Sequence, residues 1–339
     1  MVGARARDCV AVVPAWRAGA TIGRTLASLA AAGVDRVVVV ASGGGETAAH
    51  ARAFGVCHGN LDVQIVESSR RLSAGAARNR GRLIAGPCEF LLFVDADVRV
   101  ARDCVDLLLA HATKECLAAV AASILCEGRR PISLARHLLE FKEAEGRTTI
   151  PPTWRLPSTC LLVRSEAFDD VGGFLDAWPG EDLCFDQALI DRGYRRRLVP
   201  EATAFHLHPV GVAEMLRHQV RLGSTAAQAR RASSLPGSFL VERAYLSPLL
   251  LPVRMLRILA WSFRCGVGTF ATTLALFPLW SAGLTAWTVA FVREAAARGT
   301  LHESRVAAGS PETGAGRTDA RSPTTPTLGV HEALAMSRR

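Results

Sequence analysis

Short, wholly apolar runs alternate along the first two hundred residues with stretches whose apolar positions recur every three or four residues. Residues 9–14 (CVAVVP), 36–41 (RVVVVA) and 90–94 (FLLFV) are continuous and rich in β-branched or aromatic side chains, and 62–67 (DVQIVE) forms a further run. Between them lie a stretch with Ile22, Leu26 and Leu29 on one helical face, a segment opened by SGGGET, and AGAARNRGRLIAG at 74–86. Apolar strands separated by amphipathic helices predict an α/β fold, a mostly parallel sheet with helices on both faces. Such sheets bind ligands beyond the carboxyl ends of their strands. Further strands are expected at 118–126, 158–165 and 196–209, with a helix over 134–145 and another opened by GEDLCF.

The pattern changes at Tyr245. Residues 267–292 form an uncharged run between Arg264 and Arg293. As one helix it would reach about 39 Å, more than the roughly 30 Å of bilayer hydrocarbon. The preceding apolar run, 246–263, carries Arg254 and Arg257 on one helical face, so it is expected to lie in the membrane interface with its arginines toward phosphates. After Gly299 the chain is rich in Ser, Thr, Pro, Gly and Ala and reads as disordered. The expected organisation is a catalytic domain over 1–243, hydrophobic membrane-associated helices over 244–299 with one span at 267–292, and a disordered tail over 300–339.

Charge and cysteine usage narrow the class. The formal charge of +9 is almost entirely arginine, with Lys114 and Lys142 the two lysines. Basic residues are scattered rather than interleaved with aromatics, which argues against nucleic acid as a partner and for anionic lipids or diphosphates. Nine cysteines without a C-x-x-C pair read as reduced thiols. The opening MVGARARDCVAVVPAWRAG lacks the long apolar run of a secretory signal, so the expected location is the cell membrane with the catalytic part cytoplasmic.

FLLFV ends in Asp95-Ala96-Asp97. Two carboxylates one residue apart both clear a strand only if the chain bends there, and both can then face a divalent cation that also takes phosphate oxygens. In this order the motifs VVPAWRAGATIGRTLASL, SAGAARNRG, FVDADV and GEDLCF resemble the family-2 glycosyltransferases, over roughly residues 9–208. The 85 residues between Asp97 and Asp182 (182 − 97) match the separation usual in that family. The resemblance implies an A-type glycosyltransferase fold and an inverting transfer from a nucleotide-sugar donor to a hydroxyl acceptor, with a lipid-linked molecule or a glycan as candidate acceptors. It places Pro14, Ala15, Trp16, Ser42, Arg78 and Asp95 at the nucleotide sugar, Arg78 approaching the base or phosphates. It implies that Asp97, Asp95 and His206 hold Mg²⁺ or Mn²⁺, that Asp182 is the catalytic base, and that Glu181 orients the acceptor or a neighbouring loop.

The chain also departs from the family. Trp16 and Arg17 stand where an acidic residue is usual, and ASGGGE at 41–46 replaces aspartates that contact the nucleobase. Only one of His206 and His208 is expected to face the site. His218 and Arg221 read as solvated surface, while Trp154 and Trp178 flank the presumed cleft. The rival readings are a membrane-anchored relative that binds nucleotide sugar without transferring it, and a sugar nucleotidyltransferase. The first turn lacks the G-x-G-x-x-G of dinucleotide-dependent dehydrogenases.

Overall fold

A computed structural model of the chain describes residues 9–146, 155–176, 180–208, 211–232 and 235–297. Trp154, Trp178 and the tail over 300–339 lie outside them. The most apolar run, β4 (Phe90–Val94), is wholly buried at the centre of an eight-stranded sheet. Beside it lies β1 (Cys9–Trp16), followed outward by β2 (Arg36–Ser42) and β3 (Asp62–Ser68), all parallel. Strand β3 is the edge of this half, which explains its mixed sequence: no residue in it is fully buried.

Past β4 the sheet becomes mixed. β5 (Val98–Val100), β6 (Ala119–Cys126), β7 (Cys160–Arg164) and β8 (Arg196–His206) complete the order β3-β2-β1-β4-β7-β6-β8-β5. β7 runs antiparallel to β4 and β6, β8 runs parallel to β6, and β5 closes the edge antiparallel to β8. The three residues of β5 were too short a run to show in the apolar pattern.

Helices α1 (Ile22–Ala31), α2 (Thr47–Cys57), α3 (Ala74–Ala85) and α4 (Cys104–Lys114) pack on the sheet. The helix expected over 134–145 is α5 (Pro131–Glu140), started by a proline at its first turn and followed by a 3-10 turn at Lys142–Ala144. The connections onward carry α6 (Ser165–Asp170), α7 (Glu181–Asp191), the long α8 (Val212–Ala232) and the short α9 (Phe239–Glu242).

The apolar third forms α10 (Leu250–Arg264), α11 (Val267–Ala275) and α12 (Phe277–Ala297). The uncharged run at 267–292 is thus two helices meeting at 70° rather than one straight rod. Trp280, Leu284 and Trp261 pack with Leu139 of α5 and Met215 of α8 in a second core, and Trp287 and Phe291 with Ala227 in a third. α12 runs so close to α8 that a Cβ at Gly223 would stand 2.1 Å from the Trp287 carbonyl oxygen. Of the two arginines of α10, Arg254 turns inward and stacks on Trp287 at 3.9 Å, while the exposed Arg257 pairs with Glu143. What α10 leaves outside is an apolar stripe of Leu249, Val253, Leu256 and Phe263, one or two turns apart on one face.

Candidate active site

Segment 73–81 assembles the site's floor. Ser73 caps α3 by accepting from the Ala76 N–H and donates its hydroxyl to Asp176. Asn79 exchanges two hydrogen bonds with the backbone of Phe174. Gly75 and Gly81 flank Arg78 at three-residue spacing, on the face that packs inward. A Cβ at Gly75 would lie 2.2 Å from the Leu175 carbonyl oxygen, and one at Gly81 would lie 2.2 Å from Val12 Cγ1. Both positions must be glycine for α3 to sit this low, and that depth drives Arg78 into the protein.

Arg78 is 2% exposed. Its Nη2 donates to Asp95 Oδ1 at 2.8 Å and its Nη1 to Glu181 Oε1 at 3.0 Å, while the guanidinium lies 5.0 Å from the Phe174 ring centroid. Burial alone would lower its pKa, but Asp95, Glu181 and Asp182 outweigh that and raise it. The guanidinium expected at the base or phosphates is therefore engaged by two carboxylates, and it joins the end of β4 to the start of α7.

Asp95 and Asp97 form the turn between β4 and β5. The Asp95 N–H donates to the Thr159 carbonyl, and Thr25 of α1 donates its hydroxyl to the Ala96 carbonyl. Pairing of Val98 with His206 across β5 and β8 then brings Asp97 beside the histidine, with His206 Nε2 3.6 Å from Asp97 Oδ1. One donor atom from each of Asp95, Asp97 and His206 lies within 4.8 Å of the others. Two carboxylates and an imidazole, half-open to solvent at Asp97, form a donor set suited to Mg²⁺ or Mn²⁺.

His206 and His208 turn to the same side, their ring centroids 4.5 Å apart, and both are buried. The expectation that only one would face inward misapplied the strand period, since side chains two apart share a face. Burial, then the neighbouring His206, pushes the pKa of His208 down to about 2.

Glu181 and Asp182 open α7 behind Gly180, whose φ of 112° is glycine's region. Glu181 is spoken for: Oε1 accepts from Arg78 and Oε2 from the Gly180 N–H. Asp182 accepts from the adjacent Leu183 N–H, and burial followed by the charge of Glu181 raises its pKa to about 6. One turn on, Asp186 is raised to about 7 by burial despite Arg196 at 3.1 Å. Sequence reading passed over Asp186, although its four-residue spacing from Asp182 puts both on one helical face.

Pro14, Ala15 and Trp16 end β1, and Ser42 ends β2 opposite Trp16. Trp16 is part-exposed, with the Arg71 guanidinium 3.7 Å over its ring and Arg17 at 5.2 Å. The pKa of Arg71 is lowered by burial and then by Arg221 and Arg17. Arg221, read from sequence as plain surface, thus faces the same cationic cluster as the end of β1.

Residues 10–172 match the family described as Glycosyl transferase family 2. Two curated relatives named pre-mycofactocin glycosyltransferase, from Mycobacterium tuberculosis strains CDC 1551 and H37Rv, are each 29% identical over 228 residues, 65% of this chain and 47% of theirs. The chain spans about half the length of these relatives. Among solved structures, the mannosyltransferase PcManGT from Pyrobaculum calidifontis, in complex with GDP-Man and Mn²⁺, is 22% identical with a TM-score of 0.58, covering 86% of this chain and 88% of that one.

Proposed function

We propose that this chain, whose residues 10–172 match the family-2 glycosyltransferases, carries out a metal-dependent, inverting transfer of a sugar from a nucleotide-diphosphate donor to an acceptor hydroxyl. The observation that carries the reading is the Asp95–Arg78–Glu181 bridge, which holds the carboxylate turn and the α7 carboxylates in one constellation. A divalent cation held by Asp97, Asp95 and His206 would neutralise charge on the departing diphosphate. The solved mannosyltransferase of similar fold, in complex with GDP-Man and Mn²⁺, supports that assignment.

The remaining chemistry belongs to side chains of this chain. Asp182, with its pKa raised to about 6, is a carboxylate near neutral pH and basic enough to take a proton. It accepts the acceptor hydroxyl's proton as that oxygen bonds to the anomeric carbon, while the bond from that carbon to the diphosphate breaks and the nucleoside diphosphate leaves. Attack opposite the leaving group inverts the anomeric centre. Glu181 fixes the start of α7 so that Asp182 keeps its direction. Trp16, with Arg71 and Arg17, receives the nucleotide; a stacking face flanked by cations suits a base and its phosphates without the usual acidic base contacts. The apolar stripe on α10 supports an acceptor that is lipid-linked or held at a membrane surface.

The test is a donor panel: purified protein, Mn²⁺ or Mg²⁺, and nucleotide sugars, read by thermal shift and by nucleotide release onto acceptor. Wild type should bind one donor with metal and turn it over, and Asp97→Asn should lose both while unfolding at the wild-type temperature. Donor binding without turnover on any acceptor would favour the binding-protein reading. Unchanged turnover in Asp97→Asn would remove that residue from the metal site.

A further inference from the structure

Behind the Asp97–His206 turn, a second group of donors converges from three elements. Cys126 ends β6 in register with His206, His137 sits on α5, and His208 follows β8 by two residues. One donor atom from each of Cys126, His137 and His208 lies within 4.8 Å of the others. The facing ring nitrogens, His137 Nδ1 and His208 Nε2, are 3.2 Å apart. Both imidazoles are almost sealed from solvent, at 2% and 1% exposure, whereas Cys126 is part-exposed and offers a way in.

Three features separate this cluster from ordinary histidine packing. Two imidazole nitrogens bound tetrahedrally at about 2.0–2.1 Å from one zinc ion stand roughly 3.3 Å apart, so the pair already has a ligand spacing. The other nitrogen of His137, Nε2, lies 2.8 Å from Glu145 Oε1, an ion-pair distance without hydrogen-bond geometry, so a carboxylate stands where the outer partner of a ligating histidine is found. His208 Nδ1 is buried without a hydrogen-bond partner among the described residues.

We propose that Cys126, His137 and His208 bind a borderline-soft divalent cation of the zinc type, with Glu145 orienting His137, at a site separate from the one at Asp97. Thiolate and imidazoles select such an ion, whereas the carboxylates of Asp95 and Asp97 select Mg²⁺ or Mn²⁺. The two sites would be side by side, because the rings of His206 and His208 lie on one side of the chain with centroids 4.5 Å apart. The ion's part is structural: it ties the end of β6, α5 and the chain leaving β8 into the wall against which His206 rests.

The test uses the full-length protein and does not depend on glycosyl transfer. Protein incubated with Zn²⁺ and dialysed should retain one zinc per chain by elemental analysis. With Co²⁺ in its place, it should show a thiolate-to-cobalt charge-transfer band in the near ultraviolet. Asp97→Asn should keep both signals. Cys126→Ser, nearly the same size, should lose the band with its circular dichroism unchanged, and His137→Gln should lose the retained zinc. A folded wild type without retained zinc or band would show that His137 and His208 form only a buried hydrogen-bonded pair beside Glu145. A band that survives Cys126→Ser would place the ion elsewhere. Either result overturns the proposal, and neither bears on the donor panel.

Discussion

Asp182 and Arg78 were both singled out in the sequence, and the fold gives them different surroundings. Asp182, a carboxylate in a helix's first turn behind a glycine, is visible in the sequence, but its burial is not. With its pKa raised to about 6, chiefly by burial, it must lose its proton to act as a base. Turnover should therefore rise with pH through about 6 and level off above it, a limb that initial rates across pH 5–8 would resolve. Asp182→Asn should remove that limb and lower kcat by about 10²–10⁴ with donor affinity retained. Arg78 is held by two carboxylates, and nothing local in the sequence reveals how deeply α3 is seated. Breaking its two buried pairs with Arg78→Met should cost about 3–5 kcal/mol. It should also lower donor affinity and turnover together, which separates it from Asp182→Asn when kcat and KM are measured. Asp186 and His137 drew no role from sequence because their partners are brought to them by folding.

At the scale of elements, the apolar runs located the central strands well, since a strand buried on both faces has no polar period to disguise it. β5 escaped because three residues carry no pattern, and the antiparallel entry of β7 escaped because apolar runs do not encode direction. The glycines of α3 were visible as motif letters, but their purpose is contact with Val12 and Leu175. Gly81→Ala should force α3 off β1 and cost about 1–3 kcal/mol as an overpacked site. Urea unfolding would measure this, and adding Val12→Ala should return part of the loss. If Gly81→Ala were neutral, the close seating of α3 would not be needed for stability.

For the whole molecule, hydrophobicity identified the last third as distinct without showing that its inner faces share cores with α5 and α8. Counting charges in α10 could not distinguish arginines facing lipid from arginines stacked on Trp287 or paired with Glu143. The stripe left outside leads to a membrane prediction. Leu256→Glu with Phe263→Glu should abolish flotation with anionic vesicles while leaving transfer to a short soluble acceptor intact. Flotation equal to wild type would assign the stripe to something other than lipid. The order of strands has a consequence for biosynthesis. β5 lies at the sheet edge with β8 as its neighbour, and β8 ends at His206, 109 residues after Asp97 (206 − 97). A chain emerging from the ribosome carries both aspartates of the turn long before the strand that seats them exists. Its parallel half can collapse early, as the leading part of a growing chain does, yet a prematurely released fragment ending before β8 would hold the aspartates on an unanchored turn without His206. Under the proposed mechanism such a fragment would lack a seated metal site, so sugar transfer would wait until the sheet is complete.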